Sequence, residues 1–372
     1  MFLFMGEIIV RGHLSRNFYL GLMKWMKKIP GAMLHTNIIA CAIFAAISGS
    51  GVATTAAIGS IAIPEMKQRN YPIRPIYGSI AAAGTLGLMI PPSLQFILFG
   101  SLTDLSIVCL FFAGFVPGLL LAGFFLLWTT FSSFYGMRKG TFNPTYDQDS
   151  ALTHWQALKG VAPLFITIFA LLGSLYAGFA TPVESAALGT FLAVIFGFWL
   201  GDLKFDAIWE SAKTASKSTA MIVTLMMGAQ YFTFTIARTN INRHLTDWVV
   251  SSGFSNTSII IVLGLIFLVL GCFMDGGSIT LLTVPLLAPI MRGMGIDLVW
   301  VAIFTTLYVM IGQITPPLGL SLFMVQGVDR EAAFGDVVKG ALPYLIIMIL
   351  FSAFLIIFPK TVTWLPELLG FM

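Results

Sequence analysis

The sequence predicts an all-α, multi-pass membrane protein made of two inverted repeats, each carrying a re-entrant helical hairpin and a broken helix. Two observations predict it. First, 58% of the 372 residues are hydrophobic and 10% are charged, with mean hydropathy +0.92, and apolar runs repeatedly reach bilayer-crossing length. A soluble domain of this size needs far more polar surface. Second, GLMIPP at Gly87 to Pro92 returns as GQITPP at Gly312 to Pro317, an offset of 225 residues (312 − 87 = 225). Pro64 and Pro289 keep that separation, as do Met66 and Met291. A Gly and a Pro-Pro pair inside an apolar helix interrupt it, and secondary transporters place ion and substrate sites at such interruptions.

The elements follow in order. Residues 1–31 open with a short apolar stub, Met1 to Glu7, too brief for a signal-peptide core or a span. Arg11 to Lys28 then forms a basic amphipathic segment, with Lys24, Lys27 and Lys28 around Trp25 and Met26, which reads as an interfacial arm on the cytoplasmic side. The second repeat begins with the apolar stretch after Pro163, whose counterpart falls at 163 − 225 = −62, so two membrane elements are expected in about 60 residues upstream of Met1. Residues 32–131 hold the first hairpin, broken helix and following span. Ala32 to Ile63 is apolar yet rich in small and hydroxyl residues, with Ser48-Gly-Ser-Gly51 and Thr54-Thr55 at its centre. Two half-helices meeting at Ser48 to Gly51 suit this composition better than a lipid-facing span, because protein then shields the loop. The polar connection Lys67 to Arg74 leads into Ile76 to Phe99, broken at Gly87 to Pro92, where Pro91 and Pro92 free the carbonyls of Gly87 and Leu88. Ser106 to Phe131 is an ordinary span.

Residues 132–160 form a polar connection. Residues 161–257 supply two scaffold helices, Pro163 to Phe179 and Ser185 to Leu200, a second amphipathic arm from Asp202 to Lys217, and the apolar stretch Ala220 to Ile236. Within 258–330, Ile259 to Phe273 leads to a second hairpin tip at Met274-Asp-Gly-Gly-Ser278, and Trp300 to Phe323 holds the second break. The last span, Ala341 to Phe358, lies in 331–372. This gives nine to eleven membrane elements. Arg69 and Arg292 take equivalent places in halves of opposite orientation, so one of them opposes the positive-inside tendency.

Charge and reactive side chains exclude several functions. The 20 basic and 16 acidic residues, net +4, sit mostly in short connections and reflect topology and anionic headgroups, not nucleic acid. Cys41, Cys109 and Cys272 are dispersed in apolar surroundings and read as small buried hydrophobes, with neither disulfide nor zinc spacing. There is no GxxxxGK[ST] loop, and the four histidines, His13, His35, His154 and His244, are scattered, so no enzyme chemistry is indicated. His35 reads as a packed or capping residue.

Six stretches, taken in order, resemble the large, DctM-like membrane subunit of the tripartite ATP-independent periplasmic (TRAP) transporters. They are FLFMGEIIVRGHLSR, SGSGVATTAAIGSIAIPEM, YGSIAAAGTLGLMIPPS, YAGFATPVESAALG at 176 to 189, MDGGSITLLTVPLLAPIM and GQITPPLG. Each is weak alone; their order and spacing across essentially the whole chain carry the resemblance. It implies an elevator-type, sodium-coupled importer in a bacterial inner membrane, without an organic cofactor. It also implies a small four-helix membrane subunit and a periplasmic substrate-binding protein as partners. The implied cargo is a small organic acid such as a C4-dicarboxylate, a sialic acid or a related carboxylate, moved among membrane lipids. The family's early pair of membrane elements has no counterpart in this sequence, matching the deficit expected from the repeat.

Several neutral oxygens suffice to hold a hard monovalent cation. On the resemblance and this chemistry, one sodium site is expected at Ser48, Ser50, Gly87 and Ile90, and a second at Gly276, Gly312, Thr315 and Leu318. The glycines, Ile90 and Leu318 would act through main-chain carbonyls. Ser48 and Ser50 also suit close helix packing. Thr181, Gly276, Gly277 and the two hairpin tips define the expected substrate surface, where half-helix N-termini meet a carboxylate and sodium offsets its charge. Asp275 fits three roles: supporting the second cation site, capping a half-helix, or facing an aqueous vestibule. Glu184 fits capping or a place near the solute. Arg238 fits neutralisation of a substrate carboxylate or an interfacial loop with Asn240, Asn242 and Arg243. A carrier working without a binding protein, a channel and a membrane scaffold are the competing functions.

Overall fold

The computed structural model describes residues 1–140, 142, 152–239, 244, 247, 251, 253 and 255–371. Among the described residues there are sixteen α-helices, one 3-10 turn and no strand. The first part comprises α1 (Phe2–Arg11), α2 (Leu14–Met26), α3 (Ala32–Ser48), α4 (Gly51–Gln68), α5 (Ile73–Thr85), a 3-10 turn (Leu86–Leu88), α6 (Leu94–Thr103) and α7 (Ile107–Arg138). The second comprises α8 (His154–Tyr176), α9 (Pro182–Leu200), α10 (Phe205–Thr239), α11 (Asn256–Phe273), α12 (Gly276–Gly293), α13 (Leu298–Gln313), α14 (Leu320–Val328), α15 (Phe334–Ile357) and α16 (Lys360–Leu368). Five of them, α7, α8, α9, α11 and α15, are long and apolar enough to cross a membrane. Apolar side chains such as Phe169, Phe191 and Trp199 on α8 and α9 point outward, as a protein solvated by lipid requires.

The two expected hairpins are present as α3–α4 and α11–α12, and each broken helix as a pair, α5–α6 and α13–α14. Their packing repeats. Each outgoing hairpin arm lies on the first half of its own broken helix, α3 on α5 and α11 on α13. Each return arm lies on the second half of the other repeat's broken helix, α4 on α14 and α12 on α6. The first halves in turn pack on the opposite repeat's closing span, α5 on α15 and α13 on α7. Because α5 and α13 are enclosed by both repeats, nearly every side chain from Ile76 to Thr85 and from Leu298 to Gln313 is buried, which explains why these helices are apolar all round. Small residues permit the closest approach. A Cβ on Gly78 would lie 1.9 Å from the Gly340 carbonyl oxygen, so α5 and α15 meet backbone to backbone.

Local chemistry accounts for the ends. Ser50 and Asp275, which are repeat partners at the common offset, both cap the return arms, accepting from Ala53 N–H at 3.4 Å and Ser278 N–H at 3.1 Å. Thr153 and Thr181 open α8 and α9 with complete capping boxes. Two boundaries differ from the sequence expectation. The arm from Asp202 and the stretch from Ala220 form one 35-residue helix, α10, since no Gly or Pro interrupts Phe205 to Met227. The basic N-terminal segment is split, with His13 between α1 and α2 in the left-handed region at φ 56°.

The equivalence expected between Arg69 and Arg292 is corrected: the offset of 225 pairs Lys67 with Arg292 and Asp104 with Asp329. Lys67, at the end of α4, forms an ion pair with Asp329 just past α14, and Tyr77 donates to the same carboxylate at 2.6 Å. On the repeat-related side, Arg292 at the end of α12 donates to the Thr103 carbonyl at 2.6 Å, beside Asp104 just past α6. Each return arm is thus tied at its far end to the opposite repeat. Arg69 instead binds Glu65 within its own helix.

Removing one partner of the Lys67–Asp329 pair leaves a poorly solvated charge. Asp329→Asn or Lys67→Met is therefore expected to cost about 1–3 kcal/mol, read as a lower thermal midpoint of the detergent-solubilised chain. Burial opposes ionisation of Asp329, but hydrogen bonds from Lys67 and Tyr77 and the charge of Lys67 outweigh it and hold the carboxyl below its ordinary value. The stabilisation is therefore full above the ordinary carboxylate range and disappears as pH falls through the depressed value. Midpoints of wild type and Asp329→Asn should converge in acid; a difference that persists there would remove the carboxylate from the explanation.

Candidate substrate and cation site

Three of the four residues expected at the first site, Ser48, Ser50 and Gly87, come together, with Thr54 as an addition. Ser48 Oγ lies 2.7 Å from Thr54 Oγ1, and the Ser50 carbonyl accepts from both hydroxyls, at 3.2 Å from Ser48 and 2.8 Å from Thr54. Gly87 closes the cluster: a Cβ there would lie 3.1 Å from the Ser50 oxygen and 3.2 Å from Thr54 Oγ1. Only glycine lets the break approach the tip so closely. Ile90, the fourth residue, is buried against Gly118 of α7. Thr54 was visible as part of a hydroxyl-rich stretch, but nothing in the sequence assigned it to the cluster.

The proline breaks act as anticipated on the backbone. Pro91 and Pro92 carry no N–H for the Gly87 and Leu88 carbonyls, and the Leu88 oxygen takes a 2.7 Å hydrogen bond from Ser93 Oγ instead. In the second repeat Pro316 and Pro317 do the same for Gly312 and Gln313. The Gly312 oxygen then accepts from Thr315 N–H at 3.1 Å, and Thr315 Oγ1 donates to the Ile311 carbonyl at 2.6 Å. Gly312 packs on α11, where a Cβ would meet Gly271 Cα and the Leu268 oxygen at 2.6 Å. Leu318 is partly exposed beside Gly319, whose N–H donates to the Cys272 carbonyl at 3.1 Å. Gly276 faces the other repeat: a Cβ there would be 2.4 Å from Gln95 Oε1. The carbonyls of Gly51 and Gly276, repeat partners, accept from Thr55 and Thr280 at 2.9 and 2.8 Å, which are repeat partners too.

Between the two tips is a cavity of ≈ 480 Å³. Residues opening four helices line it: Ser50 at α4, Leu94 at α6, Gly277 at α12 and Leu320 at α14. Side chains cap α4 and α12, whereas α6 and α14 lack a side-chain cap; Leu94 N–H donates to the Gly49 carbonyl at 3.4 Å and Leu322 N–H to the Gly319 carbonyl at 2.8 Å, and the remaining first-turn amides are open to a ligand. Ser218 and Met221 of α10 close one side, which the sequence did not indicate. Asp275 and Gly277 are at the cavity, and Asp275 holds Ser278 through both its N–H and its hydroxyl, the capping role. Among the described residues, no Lys, Arg or His lines the cavity.

Two expected substrate residues are placed elsewhere. Thr181 is exposed in the α9 capping box with Glu184, which likewise caps α9. Arg238 is exposed at the end of α10 over the Phe234 ring, about 20 Å along the helix from the cavity-lining Leu225. Asn240, Asn242 and Arg243 lie outside the described residues.

The residues present fit a hard monovalent cation. Among the described residues no cluster of three His, Cys, Asp or Glu side chains suits a divalent or transition metal, and the three cysteines are buried and unpaired. The breaks instead concentrate neutral oxygens, and two buried amide oxygens, Gln95 Oε1 and Gln313 Oε1, have no hydrogen-bond partner. A buried acceptor left unmade costs about 1–3 kcal/mol, which favours a ligand or water at these oxygens.

The contact at Gly312 gives a direct test of the break geometry. Gly312→Ala forces α13 away from α11 and should lower the thermal midpoint by the equivalent of about 1–3 kcal/mol. Gly335→Ala, with nothing within 4 Å of its Cβ position, is expected to leave it unchanged. Equal midpoints for the two variants would contradict the close approach.

Comparison with known proteins agrees with this architecture. The chain has the fold of the transporter YdaH of Alcanivorax borkumensis, with TM-score 0.68 and 15% identity over 97% of this chain and 86% of that one. It is 30% identical to the C4-dicarboxylate TRAP transporter large permease protein DctM of Rhodobacter capsulatus, over 99% of this chain and 86% of that protein. It is 29% identical to the sialic acid TRAP transporter large permease protein SiaM of Vibrio cholerae, over 91% of this chain and 78% of that protein. Residues 1–361 match the family described as the tripartite ATP-independent periplasmic transporter, DctM component. Two crossed hairpins, two proline-broken helices and these matches along the whole chain place it in the DctM family of TRAP transporter large permeases, as an integral membrane protein.

Proposed function

We propose that this permease imports a small organic acid by sodium-coupled secondary transport, binding it in the cavity between the hairpin tips. The observation that carries the reading is the electrostatics of that cavity. Four helix N-termini contribute at most about half a positive charge each, roughly two in all. Asp275 subtracts one and no basic side chain adds any. The remainder, about one charge, balances a monocarboxylate and falls short for a dicarboxylate. Cations at the oxygen-rich breaks supply the difference.

The chain's own residues do the rest. The uncapped amides of α6 and α14 orient a carboxylate, and the apolar walls from Leu94, Met221 and Leu320 remove water around its carbon skeleton. Oxygens around Ser48, Ser50 and Gly87, and around Gly312 and Thr315, hold sodium. Sodium then favours the solute-competent arrangement, a population shift without covalent chemistry. The crossed hairpins and broken helices move together, elevator fashion, against α8 and α9, which a small four-helix membrane subunit braces. A periplasmic substrate-binding protein delivers the acid to the bacterial inner membrane. The TRAP names of the relatives and the capture cavity both support this division of labour.

Uptake of a radiolabelled panel of C4-dicarboxylates, sialic acid and related carboxylates into proteoliposomes containing the permease, its small subunit and its binding protein tests the proposal. Uptake is expected only with an inward sodium gradient and with the binding protein present. Uptake that persists without the binding protein would make this a stand-alone carrier, and non-saturable downhill flux without sodium would make it a channel.

A further inference from the structure

Gln313 sits where the two breaks meet. Its main chain belongs to the second break, between Gly312 and Thr315, both expected at one cation site. Its side chain crosses to the first repeat. A point at the Cβ position of Gly51 lies 3.0 Å from Gln313 Oε1 and 3.4 Å from the Gly84 carbonyl oxygen, with Thr85 Cα at 3.3 Å. Gly51 follows Ser50, and Thr85 precedes the 3-10 turn that carries Gly87, so the amide oxygen reaches the surroundings of the first site.

The chemistry of that place is unbalanced. Gln313 is 1% exposed, and its Oε1 has no donor. It lies beside the C-terminal end of α5, where the helix presents carbonyl oxygens and partial negative charge. The Ala83 and Gly84 carbonyls there already accept from backbone N–H groups, whereas the Gln313 oxygen accepts from none, and a bound cation would give it a partner while drawing on the neighbouring carbonyls as well. Gln95 Oε1 is also buried and unpartnered, and it faces Gly276, which opens α12 as Gly51 opens α4. The two glutamines are not repeat partners, whereas the glycines they face, Gly51 and Gly276, are. What sets Gln313 apart is its place in the second break, between Gly312 and Thr315, from which its side chain reaches the first tip.

We propose that Gln313 couples two cation sites, its backbone forming part of the second and its side-chain oxygen serving as a ligand at the first. This rests on the reading that sodium binds at the breaks. Filling the first site fixes the Gln313 side chain, which fixes the backbone turn carrying Gly312 and Thr315. The second site is thereby prepared before its ion arrives, and binding becomes cooperative.

The experiment is a sodium titration of the thermal midpoint of the full-length chain in nanodiscs, with choline replacing sodium to keep ionic strength constant. Wild type should be stabilised by sodium with a response steeper than a single site allows. Gln313→Leu should raise the half-saturating sodium concentration about tenfold, the loss of roughly one ligand contact, and reduce the steepness to that of one site. In sodium-free buffer it should be at least as stable as wild type, because an unsatisfied buried oxygen has been removed. If leucine prevents folding, Gln313→Met, of similar length, replaces it. An unchanged sodium response, or an equal loss of stability with and without sodium, would make Gln313 a packing residue and overturn the proposal. A steep wild-type response is required; a single-site wild-type curve contradicts coupling while leaving sodium binding intact. No response in wild type would bring down the sodium reading itself, and the coupling with it.

Discussion

Backbone groups freed inside an apolar chain must find partners within the protein, and this constraint organises the whole molecule. Each Pro-Pro pair withdraws two donors from a helix that has no water alongside it. The liberated carbonyls cannot face lipid, so the breaks must be enclosed. Enclosure is provided by the other repeat: α4 covers α14, α12 covers α6, and the first halves α5 and α13 are buried between both. The same crossing brings four helix N-termini to one cavity. A site rich in main-chain oxygens and helix-end amides is thus the direct product of enclosing each broken helix within the other repeat.

The crossed arrangement also explains where rigidity and selectivity reside. Gly78 against Gly340, and Gly312 against Gly271, set helix separations at backbone contact, leaving little freedom for the breaks to drift. At the far ends Lys67–Asp329 and Arg292–Thr103 tie each return arm to the opposite repeat. Hairpin tips and broken helices are therefore held together by contacts at both ends, which is what the proposed elevator movement needs. The cavity itself is weakly charged and largely apolar, suited to accepting an anion without trapping it.

Much of this was legible in the sequence because the repeat is marked by residues with backbone consequences. Proline and glycine at a fixed offset located both breaks, and small hydroxyl residues between apolar arms located the first tip. The capping role of Asp275 was one of three left open; the structure shows the cap, with Ser278 N–H and hydroxyl donating to the carboxylate, and also places Asp275 at the cavity. What stayed hidden depended on long-range crossing. Gln95 and Gln313 are isolated amides in apolar half-helices, and nothing local says that each reaches the other repeat's tip glycine. Ser218 and Met221 reach the cavity only because α10 runs unbroken past it. Arg238 and Thr181 had suitable chemistry at suitable motifs, but helix length and a capping box keep them from the cavity. Side-chain type suggested ligands there; neither residue is among those that line the cavity.

The central claim is that solute binds between the two hairpin tips. A cryo-electron microscopy map of the transporter with sodium and a transported organic acid tests it most directly. The account predicts solute density bounded by Ser50, Leu94, Gly277 and Leu320, with its carboxylate against the first turns of α6 and α14. Solute density in another cavity, such as that of ≈ 590 Å³ beside Arg74 and Asp336, with the space between the tips empty, would contradict it.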